Sequence, residues 1–204
     1  MQAVKNIIYA ATVLMVVFVF MGQAPDTSKF VAPKDPKIST MASQKMLVVE
    51  AKGDPNVVGA KAFGLLFQTY FSLKETSKGP GMSAARARWP LPFDTPKEEW
   101  LGLYALPVPE SLSVLPEIQP DSGLSIYLAT WEYGDVAEIA HIGPYDKEEP
   151  TIKRLMDFIY GNGYQVAGPH EEEYLQGPSM ASPGNPNEYV TIIRYRVKKI
   201  EEGK

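Results

Sequence analysis

The sequence predicts an α+β fold in which duplicated β-α-β-β units form one antiparallel sheet, with two helices on one face and a ligand groove on the other. The main observation is a repeat: strand-like and helix-like runs recur in the same order twice between Met46 and Val197. Gly53 of the first copy matches Gly143 of the second, 90 positions later. Because neither unit could bury both of its faces alone, we expect the two to pair edge to edge.

The first copy begins with the strand-like run at 46–51 and breaks at Gly53. Asp54 and Pro55 are typical of an N-cap and a first helical turn, and predict a helix that continues to about Leu73. Two strands are expected next, at 84–91 and 100–108. One helical face is predicted to be buried, and it holds Val58, Ala62, Leu65, Leu66, Thr69 and Leu73.

The second copy repeats this order with a strand at 135–142, a break at 143–145 and a helix from about Asp146 to Tyr160. The glycines at 161 and 163 are typical of a helix end. Closing strands follow at 170–176 and 188–197, and the segment 113–134 is expected to cross from one half to the other.

The N-terminal segment differs in kind from the rest of the chain. Residues 6–22 form an uninterrupted apolar run, near the short limit of a spanning helix and the long limit of a signal-peptide core. A small-x-small cleavage option ends at Ala24, but Pro25 would follow the cut, so we expect the segment to be retained. The chain is thus divided into an anchor or signal segment at 1–22, a Pro/Ser/Lys-rich linker at 23–45 and a folded domain at 46–204.

This division predicts a membrane-associated protein with a single-pass N-terminal anchor. Lys5 and the α-amino group favour a cytoplasmic N-terminus and an extracytoplasmic domain, although Lys29, Lys34 and Lys37 on the other flank weaken that preference.

Composition excludes several classes of function. Cysteine is absent, so disulfides, thiolate metal sites and cysteine nucleophiles are ruled out. Residues 1–45 hold five lysines and two aspartates, which leaves 15 basic and 22 acidic residues in the body of the chain. Such a surface repels phosphate backbones, so nucleic acid is not expected as a partner. Serine-elbow, phosphate-loop and metal-ligand motifs are also absent from the sequence.

The second copy resembles the GyrI-like small-molecule-binding domain, which is shared by gyrase-inhibitor proteins and the effector-binding parts of AraC-type and MerR-type regulators. The resemblance covers about 46–198 and rests on "GDVAEIAHIGPY" (134–145), the helix ending in "GY" (163–164) and "GPHEEEYL" (168–175), which is similar to a G-P-x-x-E-x-Y element. It implies a groove that takes aromatic or cationic molecules around one buried glutamate, which is Glu172 when the chain is aligned on that element.

Strand alternation puts Glu172 and Tyr174 on one face and Glu171, Glu173 and Leu175 on the other. Three consecutive glutamates are more often a solvated run, but the resemblance favours Glu172 in the groove. The candidate ligand-binding residues are Glu172 and the aromatic residues Tyr174, Tyr145, Trp89, Tyr104 and Trp131, since stacking and cation-π contacts suit planar or cationic ligands. Each aromatic residue has plain packing as its alternative.

The only histidines are His141 and His170, and neither has a second ligand at metal-binding spacing on a helix. We therefore expect no metal and no cofactor. The resemblance implies a structural role for His141, which lies where the family has a structural histidine before its Gly-Pro turn. The SOUL heme-binding proteins resemble this architecture, which keeps an axial heme ligand, His141 or His170, as a minor alternative.

The function expected from the sequence is that of a membrane-tethered module that binds a small organic molecule, a binding protein rather than an enzyme. The alternative is a hydrolase of strained, cyclopropane-type genotoxins that uses Glu172 to activate water, since some proteins of similar fold have that activity. A structural or interaction role, with the groove closed or filled by a peptide, is the third hypothesis.

Overall fold

The computed structural model describes residues 32–92, 94–118, 120, 123–177 and 184–201. Ten regular elements lie in these ranges: strands β1 (Lys37–Met41) and β2 (Gln44–Lys52), helix α1 (Pro55–Ser72), strands β3 (Ala85–Trp89), β4 (Leu101–Pro107), β5 (Leu124–Trp131) and β6 (Gly134–Ile142), helix α2 (Glu149–Gly161), and strands β7 (Tyr164–Gln176) and β8 (Val190–Lys199). The α+β prediction and both repeat units, β2-α1-β3-β4 and β6-α2-β7-β8, are confirmed.

All eight strands belong to one sheet with the order β1-β6-β8-β7-β3-β4-β2-β5, and every neighbouring pair is antiparallel. The two repeat units meet at the β3–β7 pair in the middle of the sheet. Gly53 and Gly143, which we matched between the copies, both have positive φ, 127° and 136°, at the end of the first strand of their unit. Glycine tolerates this conformation at no steric cost, so the repeat extends to the backbone.

The sheet curls so that its two ends approach each other. Strand β5 lies at one end of the sheet and β6 near the other, yet only residues 132–133 connect them. A connection that short spans at most about 11 Å between the Cα atoms of Trp131 and Gly134. The inside of the curl is filled by side chains from both ends, including Met46, Trp131 and Val136.

The two helices pack on the outside of the curl and bury separate clusters. Asp54 caps α1 through its carboxylate, which accepts from the Asn56 amide at 2.9 Å. Helix α1 covers Leu47, Val49 and Tyr104 in one unit, whereas α2 covers Ile139 and Ile193 in the other. The buried face of α1 includes Phe63, Phe67 and Tyr70, which the sequence prediction did not include. Of the residues that it did include, Thr69 is buried, and Val58 and Leu65 are partly buried.

Strand β1 lies inside the segment that we expected to be a linker. Its five residues, Lys37–Met41, pair with Gly134–Glu138 of β6 and close one edge of the sheet. Strand β2 also begins before Met46, at Gln44. The folded part of the chain therefore starts earlier than the sequence pattern indicated.

The expectation of a membrane-associated protein with a single-pass anchor needs correction. Within the ranges that the structure describes, no helix combines the length and the apolar character that crossing a bilayer requires. The apolar run at 6–22, on which the expectation rested, lies outside the described residues.

Candidate functional site

Glu172 lies in the middle of the sheet on the face that carries the helices. Its register partners are Ala87 of β3 and Ile193 of β8, and these two side chains belong to the cores beneath α1 and α2. Directly paired residues of antiparallel strands project to the same side, so Glu172 shares that side. The sequence prediction put the groove on the face opposite the helices; the glutamate is instead flanked by α1 and the start of α2.

The Glu172 carboxylate is almost completely buried, with 1% of its surface exposed. The Tyr174 hydroxyl donates to its Oε2 at 2.7 Å, and His170 Nε2 lies 3.0 Å from its Oε1. The other imidazole nitrogen of His170 lies 2.7 Å from the Tyr195 hydroxyl. Each oxygen of Glu172 thus has one protein partner, and each has room for a further hydrogen bond because a carboxylate oxygen has two lone pairs.

A second carboxyl group, that of Glu148, faces Glu172 from the residue before α2. Glu148 is 0% exposed, and neither of its side-chain oxygens has a hydrogen-bond partner among the described residues. Burial, and then the charge of Glu172, raise the pKa of Glu148 well above the ordinary value of 4.5. A raised pKa means that the neutral form of the Glu148 carboxyl group persists to higher pH than that of an exposed glutamate.

Glu148, His170 and Glu172 are also the described residues that could hold a metal ion. Each offers one ligand atom, and the three atoms lie within 4.8 Å of one another. Sequence spacing did not indicate this group, because its members come from two separate elements. Both nitrogens of His170, however, already have protein partners.

Three tyrosines form the walls around Glu172. The Tyr174 ring lies between Tyr145 and Phe63 of α1, at centroid distances of 5.9 and 6.0 Å, and Tyr104 packs against Phe63 at 4.8 Å. The hydroxyls of Tyr104 and Tyr145 have no hydrogen-bond partner among the described residues. Burial, followed by the charge of Glu172, raises the pKa of both phenols, so they stay protonated and can donate.

The structure therefore brings Glu172, Tyr174, Tyr145 and Tyr104 together as the sequence prediction grouped them. We call these four residues, with Glu148 and His170, the Glu172 site. Trp89 lies on the same face, behind Tyr104, and the centroids of the two rings are 5.7 Å apart. Its indole nitrogen is buried without a partner among the described residues.

Trp131 does not lie near Glu172, which corrects its assignment to the same groove. It belongs to the cluster inside the curl, and the Arg88 guanidinium stacks on its ring at 4.0 Å from the centroid. Arg88 alternates with Ala87 along β3, so it projects to the face opposite Glu172. On that face a cavity of about 160 Å³ is lined by Arg88, Glu132, Tyr133, Pro169, Glu171, Arg194 and Arg196.

The neighbours of Glu172 in sequence, Glu171 and Glu173, are paired with arginines inside the curl. Glu171 accepts from Arg88 at 2.7 Å and from Arg194 at 2.8 Å, and Glu173 accepts from Arg194 at 3.0 Å. The three glutamates are thus not a solvated run, and they do not share one environment. Two of its members are neutralised by arginine, and Glu172 is not.

Sequence reasoning missed Glu148 and kept His170 only as one of two minor candidates for an axial heme ligand. Helical spacing contains a signal for Glu148, since it lies four residues before the inward-facing Ile152. His141 has the structural role that was expected, with its ring nitrogens 3.0 Å from Thr151 Oγ1 and 3.1 Å from the Pro144 carbonyl. Burial lowers the pKa of His141, which favours the neutral imidazole.

Comparison with protein families identifies this arrangement. The model of the GyrI-like small molecule binding domain matches residues 34–198, which include strands β1 to β7 and all but the last residue of β8. The chain belongs to the GyrI-like small-molecule-binding domain family. No curated protein matches the chain significantly.

Solved structures of GyrI-like fold superpose on most of this chain. A Listeria innocua protein described as a hydrolase aligns with a TM-score of 0.66 and 20% identity, over 85% of this chain and 97% of its own. An uncharacterized conserved protein from the same organism aligns at 0.69 and 21%, with coverage of 85% and 97%. The C-terminal domain of EcmrR aligns at 0.56 and 15%, with coverage of 84% and 100%. At these identities the likeness is one of fold.

Proposed function

We propose that this GyrI-like domain binds lipophilic organic cations and that Glu172 supplies the opposing charge. The observation that carries the proposal is the uneven pairing of the three glutamates in β7. Among the described residues, no lysine or arginine lies within ion-pair distance of Glu172, whereas arginines pair with Glu171 and Glu173. A buried charge is costly unless it is paired, so a cation that reaches Glu172 gains the interaction that the protein does not provide.

The aromatic walls support a lipophilic or planar ligand. The rings of Tyr104, Tyr145, Tyr174 and Phe63 surround the carboxylate, and aromatic faces attract cations within about 6 Å of the ring centroid. Tyr174 is the member of this set that is only partly buried, so we place the entrance at its ring. Tyr104 and Tyr145 are almost fully buried and would form the inner wall.

Hydrolysis of a strained electrophile is a second candidate, and the carboxyl pair favours it. Glu172 would accept a proton from a water molecule as the water oxygen bonds to a ring carbon. The strained carbon–carbon bond would break, and Glu148 or the Tyr145 hydroxyl would protonate the electron pair that it releases. The similar Listeria innocua protein described as a hydrolase is consistent with this chemistry on the same fold.

The test uses the whole chain and three matched compounds: (2-naphthylmethyl)trimethylammonium, its protonated dimethylamine analogue and the uncharged carbon isostere 2-neopentylnaphthalene. Isothermal titration calorimetry should detect both cations with the parent protein, and Glu172→Gln should weaken them by tenfold or more while the isostere is unaffected. Glu132→Gln is the control, since it removes an exposed carboxylate elsewhere. Equal affinity for cation and isostere would refute the proposal.

The hydrolase candidate is distinguished by the fate of the ligand. A cyclopropane-bearing enone incubated with the protein should gain one water by mass spectrometry if the carboxyl pair is catalytic. Glu172→Gln should then abolish the product. Binding of the compound without any change in its mass would rule out the hydrolase candidate and leave the binding function.

A further inference from the structure

The side-chain oxygens of Glu148 and Glu172 differ in their hydrogen-bond partners. Glu172 already receives the Tyr174 hydroxyl at one oxygen and lies next to His170 at the other. Both oxygens of Glu148 are buried and have no partner among the described residues. A ligand that lies between the two carboxyl groups therefore meets one that is largely satisfied and one that lacks hydrogen-bond donors.

Glu148 lies at a position where its side chain could cap a helix, but it does not do so. It is the residue before α2, where an acidic side chain can accept from the first amides of the helix. Its side chain makes no such capping bond, although its backbone carbonyl accepts from Ile152 at 2.9 Å. An unpaired buried carboxyl group costs free energy in the unliganded protein, so a role in folding does not account for its orientation toward Glu172.

Resting on the proposed function, we infer that the ligand is a cation with its own N–H groups, such as a protonated amine or an amidinium, selected over a quaternary ammonium because Glu148 accepts its hydrogen bond. A quaternary ammonium satisfies the charge of Glu172 equally well but offers no donor. It would bury Glu148 behind methyl groups and leave it unpaired. An N–H cation can bond Glu148 in either protonation state, since a neutral carboxyl group keeps its carbonyl oxygen as an acceptor.

A metal ion fits the same three residues less well. Binding would require a lone pair of His170 Nε2, which lies 3.0 Å from Glu172 Oε1, while Nδ1 lies at the Tyr195 hydroxyl. Coordination would therefore replace the hydrogen bond between His170 and Glu172. An N–H cation leaves both contacts intact and uses the oxygens of Glu148.

The experiment compares the protonated dimethyl(2-naphthylmethyl)amine with its trimethylammonium analogue at pH 7, by calorimetry on the whole chain. The parent should bind the N–H cation about tenfold more tightly, because a hydrogen bond between charged groups is among the stronger ones. Glu148→Met, which keeps the bulk and removes both acceptors, should bring the two affinities together. Glu148→Gln, which keeps one carbonyl oxygen, should restore part of the difference.

Glu149→Gln is the matched control, since it removes the adjacent, partly exposed carboxylate and should leave the preference unchanged. Equal affinity of the parent for both cations, or an unchanged preference in Glu148→Met, would overturn the inference. The proposed function survives that result as long as both cations still depend on Glu172. If neither cation binds, or Glu172→Gln leaves both unaffected, the proposed function itself fails.

Discussion

At the scale of single residues, β7 gives three consecutive glutamates two opposite environments. Alternation along the strand turns Glu171 and Glu173 toward arginines inside the curl and turns Glu172 toward tyrosines beneath the helices. The same type of side chain therefore pairs with arginine at two positions and, among the described residues, has no lysine or arginine partner at the third. What decides its role is the identity of the partners on each face.

The raised pKa of Glu148 predicts a stability that depends on pH. The folded protein holds the Glu148 proton more tightly than the unfolded chain, whose carboxyl titrates near the ordinary value of 4.5. The contribution of this proton is complete below pH 4.5 and is lost as the pH rises through the raised pKa. Glu148→Gln, which imitates the neutral acid, should make the protein more stable than the parent at pH 8.

Urea unfolding of both proteins between pH 4.5 and 8.5 measures this effect. The difference in free energy of unfolding between variant and parent should increase with pH, and Glu149→Gln should show no such increase. A difference that is constant with pH would mean that Glu148 titrates normally in the folded protein.

The tyrosine hydroxyls predict a contrast between two otherwise similar substitutions. Tyr195→Phe removes a hydroxyl that lies 2.7 Å from His170 Nδ1 and should cost about 0.5–1.5 kcal/mol of stability. Tyr104→Phe removes a buried hydroxyl without a partner among the described residues, so it should be neutral or stabilising. Thermal unfolding compares the stability of the two variants. Equal losses of stability would contradict the difference in hydrogen bonding between the two hydroxyls.

At the scale of elements, the arginines of β3 and β8 connect neighbouring strands through ion pairs. Arg194 of β8 bonds Glu138 of β6 at 2.8 Å as well as Glu171 and Glu173 of β7. One guanidinium therefore connects three neighbouring strands. Its contacts lie on the face opposite the Glu172 site, and they fix the part of β7 that presents Glu172.

Removing that guanidinium should be strongly destabilising. Arg194→Gln removes one charged partner from each of three buried or nearly buried carboxylates, and breaking a buried ion pair in this way typically costs about 3–5 kcal/mol. Arg154→Gln is the control, because its pair with Asp35 is exposed and should be worth about 0–1 kcal/mol. Denaturant titration gives both values, and similar losses would refute a structural role for the buried network.

At the scale of the whole molecule, sequence patterns predicted the repeat and the α+β class, and the resemblance to the GyrI-like family led to the grouping of Glu172 with three tyrosines. Periodicity establishes which residues share a face, and that is why Glu172 and Tyr174 were placed together. It does not establish which face the helices cover, because that depends on how each strand-helix-strand connection turns. Glu172 was accordingly expected on the face without helices, but it lies on the face that the helices cover, away from Trp131.

Two further features could not be predicted for a different reason. Glu148 belongs to a polar stretch before α2, and its spacing from Ile152 indicates a face of the helix but not that Glu172 of β7 lies opposite it. Strand β1 is short and partly exposed, and without regular alternation its sequence reads as a linker. Both depend on contacts between residues that are distant in the chain.

The position of β1 predicts where a minimal domain must begin. A chain starting at Met46 lacks β1, which exposes the edge of β6, and lacks Gln44, whose side chain accepts from Arg86 at 2.9 Å. An unpaired sheet edge invites association between chains, so we expect this shortened protein to unfold at lower temperature and to aggregate. A chain starting at residue 34, where the family match begins, keeps both strands and should unfold at the temperature of the whole protein. Calorimetry combined with light scattering distinguishes the two, and equal behaviour of both would mean that β1 adds nothing to the stability of the sheet.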